Sequence, residues 1–275
     1  MTGGSAYLLV KAGCHQREVA MLWEKLGMTL VGLLLVMAAL RLGGRRLGGL
    51  LAGLPTITAP TLAWTAVEHG TGFAVQAAIG SVASCAAGAL FAWAYVSASR
   101  RLAAAGALAC GLIAAGVAAV PALTASHDLL AAVGLALLVT GLAWRTLPAS
   151  AATSAPERPP RAGLPALQMA GIATVLTVAV STIGPWFGPY ATGLLASLPL
   201  ISAPLAVAEH AGSGHQASTE FLRGYVKGLF GKAAFGVVFV LLAPAVGALP
   251  ALALAVAATG LMSLHPGPRR RTTAA

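Results

Sequence analysis

Charged residues are scarce in this chain. Of its 275 residues only 9% are Asp, Glu, Lys or Arg, whereas 58% are apolar and the mean hydropathy is +0.84. A soluble domain needs a polar surface that this composition does not supply. The composition predicts an all-α polytopic membrane protein whose partner is the lipid bilayer. A composition rich in Ala, Gly and Arg is typical of a bacterial cytoplasmic (inner) membrane protein.

Cysteines and catalytic motifs are also sparse. Cys14, Cys85 and Cys110 have no CxxC spacing, so they indicate neither a disulfide framework nor a zinc site. The chain has no nucleophile elbow, no phosphate-binding glycine loop and no paired-carboxylate motif, so we expect neither an enzyme nor a cofactor. The net charge of +10 does not indicate a nucleic-acid partner, because the arginines form short clusters between apolar runs without interleaved aromatics.

What the chain does contain is an internal repeat. Residues 49–60 read GLLAGLPTITAP and residues 193–204 read GLLASLPLISAP, an offset of 144 residues with nine of twelve positions identical. Each copy carries two prolines within an apolar run, and proline removes a backbone donor and clashes with the preceding helical turn. We therefore predict one broken helix in each copy. Paired broken helices in the two halves of a membrane protein are the best sequence indication of a transporter's binding site.

Apolar runs divide the chain into two repeats joined by a linker rich in Pro and Ser. We predict the following organisation: an N-terminal tail at 1–25, a first repeat with a linking helix at 26–146, a cytoplasmic linker at 147–165, a second repeat at 166–265 and a basic cytoplasmic tail at 266–275. The predicted transmembrane segments are 26–42, the broken element 47–67, 73–96, 102–123, 129–144, 167–183, the broken element 191–208, 221–242 and 249–264.

The arginine clusters predict the orientation of these nine spans. If both broken elements cross the bilayer, an odd number of crossings separates the two copies, and the repeats are inverted. This topology places the arginine clusters and the C-terminus in the cytoplasm, as the positive-inside rule requires. It leaves the basic N-terminus outside unless the true start is Met21 or Met28. The alternative treats each motif as a re-entrant loop within seven spans, which gives parallel repeats but divides the arginine clusters between the two faces.

The segments around the two breaks form the predicted substrate site. Crossed half-helices offer N–H groups at their N-terminal ends and carbonyl groups at their C-terminal ends, a combination that suits a small anionic or zwitterionic solute. The alternative is that the prolines only kink the helices and the hydroxyls bond back to the helix backbone. The candidate substrate-binding residues are Gly53, Pro55, Thr56, Thr58, Pro60, Ser197, Pro199, Ser202, Pro204 and Lys232.

Two acidic dipeptides are the candidates for coupling transport to a proton or another cation. Glu68-His69 and Glu209-His210 close the two broken elements, in a chain with only seven carboxylates. Carboxylates and imidazoles in such positions can carry an ion. The alternatives are ordinary interfacial turns that face water, and a zinc, nickel or cobalt site formed by Glu209, His210 and His215.

Lys232 lies deep in a predicted span, nine residues beyond Arg223. Nine helical residues correspond to about 13 Å, a long way for an ammonium group to reach the surface. The sequence leaves three interpretations open: Lys232 faces the cavity and attracts an anion, it reaches the surface, or it pairs with Glu209 or Glu220.

Small residues and one aspartate predict two local features. Gly224, Gly228 and Gly231 share a helix face, which we expect to pack against another helix or to form a homodimer. Asp128 precedes an apolar run, and we expect its side chain to cap the helix that follows.

Several stretches resemble a family of bacterial integral membrane proteins with a duplicated GLLAxLPxI[ST]AP motif. The resemblance covers most of the chain from Met28 onward and implies no substrate. Members of that family have a small or aliphatic residue where this chain has Lys232. The stretches that carry the resemblance are RRLGGLLAGLPTITAP from Arg45, the Glu68-His-Gly that follows it, His210, and FLRGYVKGLFG from Phe221.

A shorter stretch is similar to another group of proteins. Thr58-Ala-Pro60, followed by Glu68 and Gly70, is similar to the discontinuous helix of LrgB-like proteins and bile-acid-symporter-like transporters. This similarity implies a transporter built from inverted repeats.

Together these expectations predict a secondary transporter of a small anionic or zwitterionic solute, coupled to a proton or another cation. Alternating access would come from one repeat rocking against the other. Two alternatives stay open: a passive pore or structural membrane component, and a divalent-metal carrier.

Overall fold

The computed structural model describes residues 34–124, 128–148 and 182–264, with single positions at 23, 27, 30, 31, 171, 175 and 179. Every secondary-structure element in this part of the chain is helical. The predicted N-terminal tail, nearly all of the linker and the basic tail lie outside the described residues. So does much of the predicted spans 26–42 and 167–183.

The described residues include nine α-helices and one short 3₁₀ turn, and Thr182 and Ile183 before that turn are helical as well. Five stretches are long and apolar enough to cross a membrane, and these are Leu34–His69, Thr71–Ala98, Ala104–Leu123, Leu129–Thr146 and His215–Val246. The count of nine spans stays a prediction. The helices are α1 (residues 34–53), α2 (Thr58–His69), α3 (Thr71–Ala98), α4 (Ala104–Thr124), α5 (Leu129–Thr146), the 3₁₀ turn (Gly184–Phe187), α6 (Pro189–Ala196), α7 (Ser202–Ser213), α8 (His215–Val246) and α9 (Ala248–Leu264).

Both predicted helix breaks are present. The chain leaves the helical conformation at 54–57, between α1 and α2, and at 197–201, between α6 and α7. Pro55 and Pro199 lie within the breaks, while Pro60 and Pro204 occupy the third position of the helix that follows. Proline is tolerated in a first helical turn because the N–H group it lacks would have no partner there. The second proline of each motif therefore starts a helix instead of ending one.

Two glycines with positive φ occur in each repeat, at corresponding positions. Gly44 (φ 75°) corresponds to Gly188 (φ 90°), and Gly70 (φ 88°) corresponds to Gly214 (φ 86°), in both cases at the offset of 144 residues. Glycine reaches positive φ without the steric cost that a Cβ imposes. The offset thus repeats the turns as well as the prolines.

These turns correct two predicted boundaries. The arginine-rich stretch before the first broken element is helical, and the only departure from regular α geometry there is at Gly44. The second broken element does not end at Glu209-His210, because α7 continues to Ser213 and stops at Gly214, the counterpart of Gly70. The helices end where a glycine permits the turn, and not where the charged residues begin.

Helix α3 is the centre of the molecule and packs against α2, α4, α5, α6 and α8. Its most apolar window is 83% buried, compared with 28% for α4 and 22% for α5. Buried Ala, Gly and Ser side chains along α3 let its neighbours approach closely. The outer helices expose large apolar side chains such as Ile113, Leu130 and Leu138, as expected of helices that face lipid.

The local predictions for Asp128 and for the glycines of α8 are confirmed in part. Asp128 caps α5 by accepting a hydrogen bond from the N–H group of Ala131 at 3.2 Å. Gly224 and Gly228 pack against the backbone of α1, with no room for a Cβ at either position. This face serves packing within the chain, and a homodimer stays a prediction.

Candidate functional site

The two helix breaks meet in the interior of the molecule. Thr58, at the start of α2, places its Oγ1 3.4 Å from Oγ of Ser197 in the second break. Ser197 Oγ donates a hydrogen bond of 2.8 Å to Ser81 on the central helix α3. Residues from both copies of the motif, 139 positions apart, therefore lie in direct contact.

A small cavity lies between the breaks and α8. Its volume is about 30 Å³, room for one or two water molecules. Seven of the ten predicted substrate-binding residues line it, and they are Gly53, Thr56, Thr58, Ser197, Pro199, Ser202 and Lys232. Pro55, Pro60 and Pro204 shape the breaks and do not line the cavity. Tyr225 and Leu229, which the sequence did not indicate, complete the wall on α8.

Two helix N-termini point donor groups toward this region. The backbone N–H groups of Thr58 and Ser202 donate to no acceptor within the described part of the chain. The following N–H groups bond back to the breaks, from Ala59 to the Pro55 carbonyl and from Ala203 to the Pro199 carbonyl. The start of a helix carries partial positive charge, so the starts of α2 and α7 together favour a negatively charged group between them.

Ser202 has a buried hydroxyl without a hydrogen bond. Its side chain is 1% exposed, and Oγ bonds to none of the described residues. The Tyr225 hydroxyl is a neighbour, but the two groups do not reach hydrogen-bonding geometry. Buried hydroxyls are almost always paired, so an unpaired one on a cavity wall indicates a ligand atom or water in the cavity.

Lys232 places an ammonium group at the same cavity. It is 6% exposed, and Nζ donates to the Ser197 carbonyl at 3.2 Å and lies 3.5 Å from Ser84 Oγ. No carboxylate of the described residues is within ion-pair distance of it. Of the three interpretations of Lys232, a side chain at the cavity is the one observed.

The expected partners of Lys232 are engaged elsewhere. Arg45 Nε donates to Glu209 Oε2 at 2.6 Å, and Arg46 Nε donates to Glu220 Oε1 at 2.9 Å. The interpretation of Lys232 as a partner of either glutamate is therefore wrong. The partners were not readable from the sequence, because each pair joins residues more than 160 positions apart.

The four coupling candidates do not come together and do not line the cavity. Glu68 and His69 lie side by side at the end of α2, with 3.9 Å between Glu68 Oε2 and His69 Nε2. Glu209 is buried against Arg45, so it is not a residue of a water-facing turn. His210 Nδ1 is 3.2 Å from the Tyr95 hydroxyl on α3.

The three residues of the metal hypothesis do not form a ligand set. Among the residues described, no group of three or more His, Cys, Asp or Glu side chains is placed to hold a metal ion. Glu209 points to Arg45 and His210 to Tyr95, so two of the three candidate ligands already have another partner.

The contacts between the two repeats are reciprocal. A Cβ at Gly49 would clash with the Phe221 carbonyl of α8, and one at its counterpart Gly193 would clash with the Ala77 carbonyl of α3. Phe221 is itself the counterpart of Ala77 at the offset of 144. Likewise, a Cβ at Gly80 would clash with the Tyr190 carbonyl, and one at its counterpart Gly224 would clash with the Arg46 carbonyl. Tyr190 is the counterpart of Arg46 at the same offset. A two-fold relation produces such pairs, because residue i then meets j wherever j meets i.

Helices α3 and α8 run antiparallel to each other. Three contacts between them show this direction: Val82 with Gly236, Cys85 with Leu229, and Gly88 with Tyr225. From one contact to the next, the residue number increases in α3 and decreases in α8. Cys85 and Leu229 are counterparts in the repeat, and Cys85 Sγ is 3.7 Å from the Leu229 carbonyl oxygen.

No protein-family model, curated protein or solved structure matches this chain. The resemblance to the bacterial membrane family and the similarity to LrgB-like and bile-acid-symporter-like proteins stay predictions.

Proposed function

We propose that this protein is a secondary transporter of a small anion, with the substrate held between the two broken helices. The observation that carries the proposal is the convergence on one buried cavity of the Lys232 ammonium, the starts of α2 and α7, and the unpaired Ser202 hydroxyl. Each of these groups can donate a hydrogen bond, and the ammonium and the two helix starts also add positive charge. Such a set stabilises a negative group in the absence of water.

The anionic substrate is favoured over the zwitterionic one. A zwitterion needs a partner for its own ammonium group, and none of the described residues that line the cavity is a carboxylate. Only the carbonyl groups at the ends of α1 and α6 remain for that role. A cation is disfavoured more strongly, because the described wall offers it a basic side chain, Lys232, and no carboxylate.

Alternating access would come from a movement of one repeat against the other. The reciprocal glycine contacts and the antiparallel course of α3 and α8 support a two-fold axis perpendicular to these helices. If α3 crosses the membrane, such an axis lies in the membrane plane and the repeats are inverted. Inverted repeats with broken helices at their interface can expose one site to either side in turn. The bacterial inner membrane and a cytoplasmic C-terminus belong to the same proposal, on the basis of the arginine clusters.

Reconstitution into liposomes tests the function. Purified protein should take up a labelled anion such as nitrate or formate with saturable kinetics, and unlabelled anion on the opposite side should accelerate the exchange. Flux that rises linearly with concentration without acceleration would indicate the pore. Absence of flux of any anion would leave a structural component, and uptake of divalent metals alone would favour the metal carrier.

A further inference from the structure

The ammonium of Lys232 is the only charged group that the described structure places at the cavity. The wall has contributions from both breaks, from the helices that flank them and from α8, and its ionisable side chains are Lys232 and Tyr225. Cys85 on α3 is the third ionisable group near Lys232. Helices α4, α5 and α9 contribute no described side chain to the wall. The described wall of the cavity thus has one basic side chain and no carboxylate.

An isolated ammonium in such a place is unfavourable. Two hydrogen bonds, to the Ser197 carbonyl and toward Ser84 Oγ, do not replace the hydration of a full charge. The cavity without an anion therefore favours the neutral amine, and an anion beside Nζ favours the ammonium. Binding of the anion and binding of the proton then reinforce each other, and this reinforcement is reciprocal.

We propose that Lys232 binds the transported anion and a proton together, so that the carrier moves one monovalent anion with one H⁺. This inference rests on the proposed function. When the anion enters, the lone pair of the Lys232 amine takes a proton from a hydronium ion on that side: an O–H bond breaks, an N–H bond forms and a water molecule is left. When the anion leaves on the opposite side, the ammonium returns the proton to water there. No redox change and no other covalent step is involved.

The sequence repeat explains why the site has one cationic side chain and not two. The counterpart of Lys232 at the offset of 144 is Gly88, so only one half of the molecule supplies a cation to the site. One ammonium neutralises one negative charge, which favours small monovalent anions over divalent ones such as sulfate. The cavity volume of about 30 Å³ likewise favours an ion of few atoms.

If Lys232 carries the proton, the acidic dipeptides Glu68-His69 and Glu209-His210 are not the groups that couple transport to it. Glu209 is held by Arg45, Glu220 by Arg46, and Glu68 lies beside His69 at the end of α2. None of these carboxylates lines the cavity. A proton bound to any of them would not meet the anion directly, whereas a proton on Lys232 does.

The test is proton uptake during anion binding by the purified full-length protein. Sodium nitrate is the probe, because nitrate stays ionised throughout pH 5 to 9 and cannot itself carry the proton. Calorimetric titrations in buffers of different ionisation enthalpy give the number of protons taken up. We expect about one proton per nitrate at high pH, falling toward zero at the pH where the empty site is already protonated.

Three variants distinguish Lys232 from the rest of the chain. Lys232→Met removes the charge at similar volume and should lose both nitrate binding and proton uptake. Lys232→Arg keeps a permanent charge, so it should bind nitrate without taking up a proton. Lys227→Met is the matched control, because Lys227 lies on the same helix with an exposed side chain and should leave both quantities unchanged.

The outcomes separate this inference from the proposed function. Nitrate binding without proton uptake at any pH, or proton uptake that persists in Lys232→Met, would overturn the coupling through Lys232 and leave anion transport standing. Failure of the wild-type protein to bind or transport nitrate, formate or chloride would overturn both.

Discussion

Lys232 Nζ lies 3.2 Å from the carbonyl oxygen of Ser197, the residue at which the second broken helix stops. This contact joins α8 to the break at 197–201, which belongs to the same repeat. It also holds the ammonium beside Thr58, which reaches Ser197 from the first half. The site is therefore built from three elements that are distant in the chain.

Replacement of Ser202 by Ala should affect binding and stability in opposite ways. The buried hydroxyl has no partner, so its removal should change the free energy of unfolding by less than about 1 kcal/mol or stabilise the protein slightly. Loss of a hydrogen bond to a bound anion should weaken binding about tenfold or more. Thermal unfolding with and without nitrate measures both effects. Thr65→Ala is the control, because Thr65 is also a buried hydroxyl residue but its Oγ1 has a hydrogen-bond partner, the Leu62 carbonyl.

Replacement of Glu209 by Gln should be strongly destabilising. Arg45 would keep its charge in a position only 13% exposed, without a carboxylate, which costs about 3 to 5 kcal/mol. Glu220→Gln is the matched control, because Arg46 is 61% exposed and that pair should contribute no more than about 1 kcal/mol. Unfolding in detergent by denaturant compares the two variants. Equal effects would show that the Arg45 pair is no more buried than the Arg46 pair.

Replacement of Gly228 by Ala should disturb the contact between α1 and α8. A Cβ at that position would clash with the Leu50 carbonyl, and backbone atoms cannot move aside as a side chain can. We expect a loss of about 1 to 3 kcal/mol. Gly116→Ala in α4 is the control, since nothing lies within 4 Å of its Cβ, and Ala is the better helix former there. A melting temperature that falls in the control as well would argue against this explanation.

Replacement of Gly70 or Gly214 by Ala tests the turns that follow α2 and α7. Both have space for a Cβ, but φ near 88° with ψ near 170° is a region that only glycine occupies readily. Each change should cost about 1 to 3 kcal/mol. Gly72→Ala has the same free space without a positive φ and should be neutral. The two turn variants should behave alike, because the positions are counterparts in the repeat.

A disulfide between the two breaks should stop transport. The Oγ atoms of Thr58 and Ser197 are 3.4 Å apart, so the double variant Thr58→Cys/Ser197→Cys should oxidise readily. Alternating access requires the broken helices to move relative to each other, and the disulfide would prevent that movement. Anion flux into liposomes should disappear on oxidation and return with a reducing agent, while both single variants stay insensitive. Undiminished flux through the oxidised double variant would contradict a movement at this contact.

The features that the sequence predicted correctly are local. Proline lacks an N–H group wherever it stands, so both breaks could be located from Pro55 and Pro199 alone. Asp128 caps α5 because the preference for aspartate at a helix start is also a short-range effect. The predicted end of α7 was wrong, since it relied on the charged pair Glu209-His210 instead of on the repeat of Gly70 at Gly214. Alignment of the two copies beyond the motif would have placed that end correctly.

The sequence by itself determined the class of protein, the two broken helices and most of the set of residues around them, because composition, proline and repeat spacing act through the chain's own backbone. The tertiary structure decided which side chains meet. Lys232 contacts Ser197 and Ser84, and Glu209 pairs with Arg45, because close packing at glycines brings α1 against α8 and α6 against α3. Those crossings depend on shape complementarity between distant surfaces, which no local pattern records.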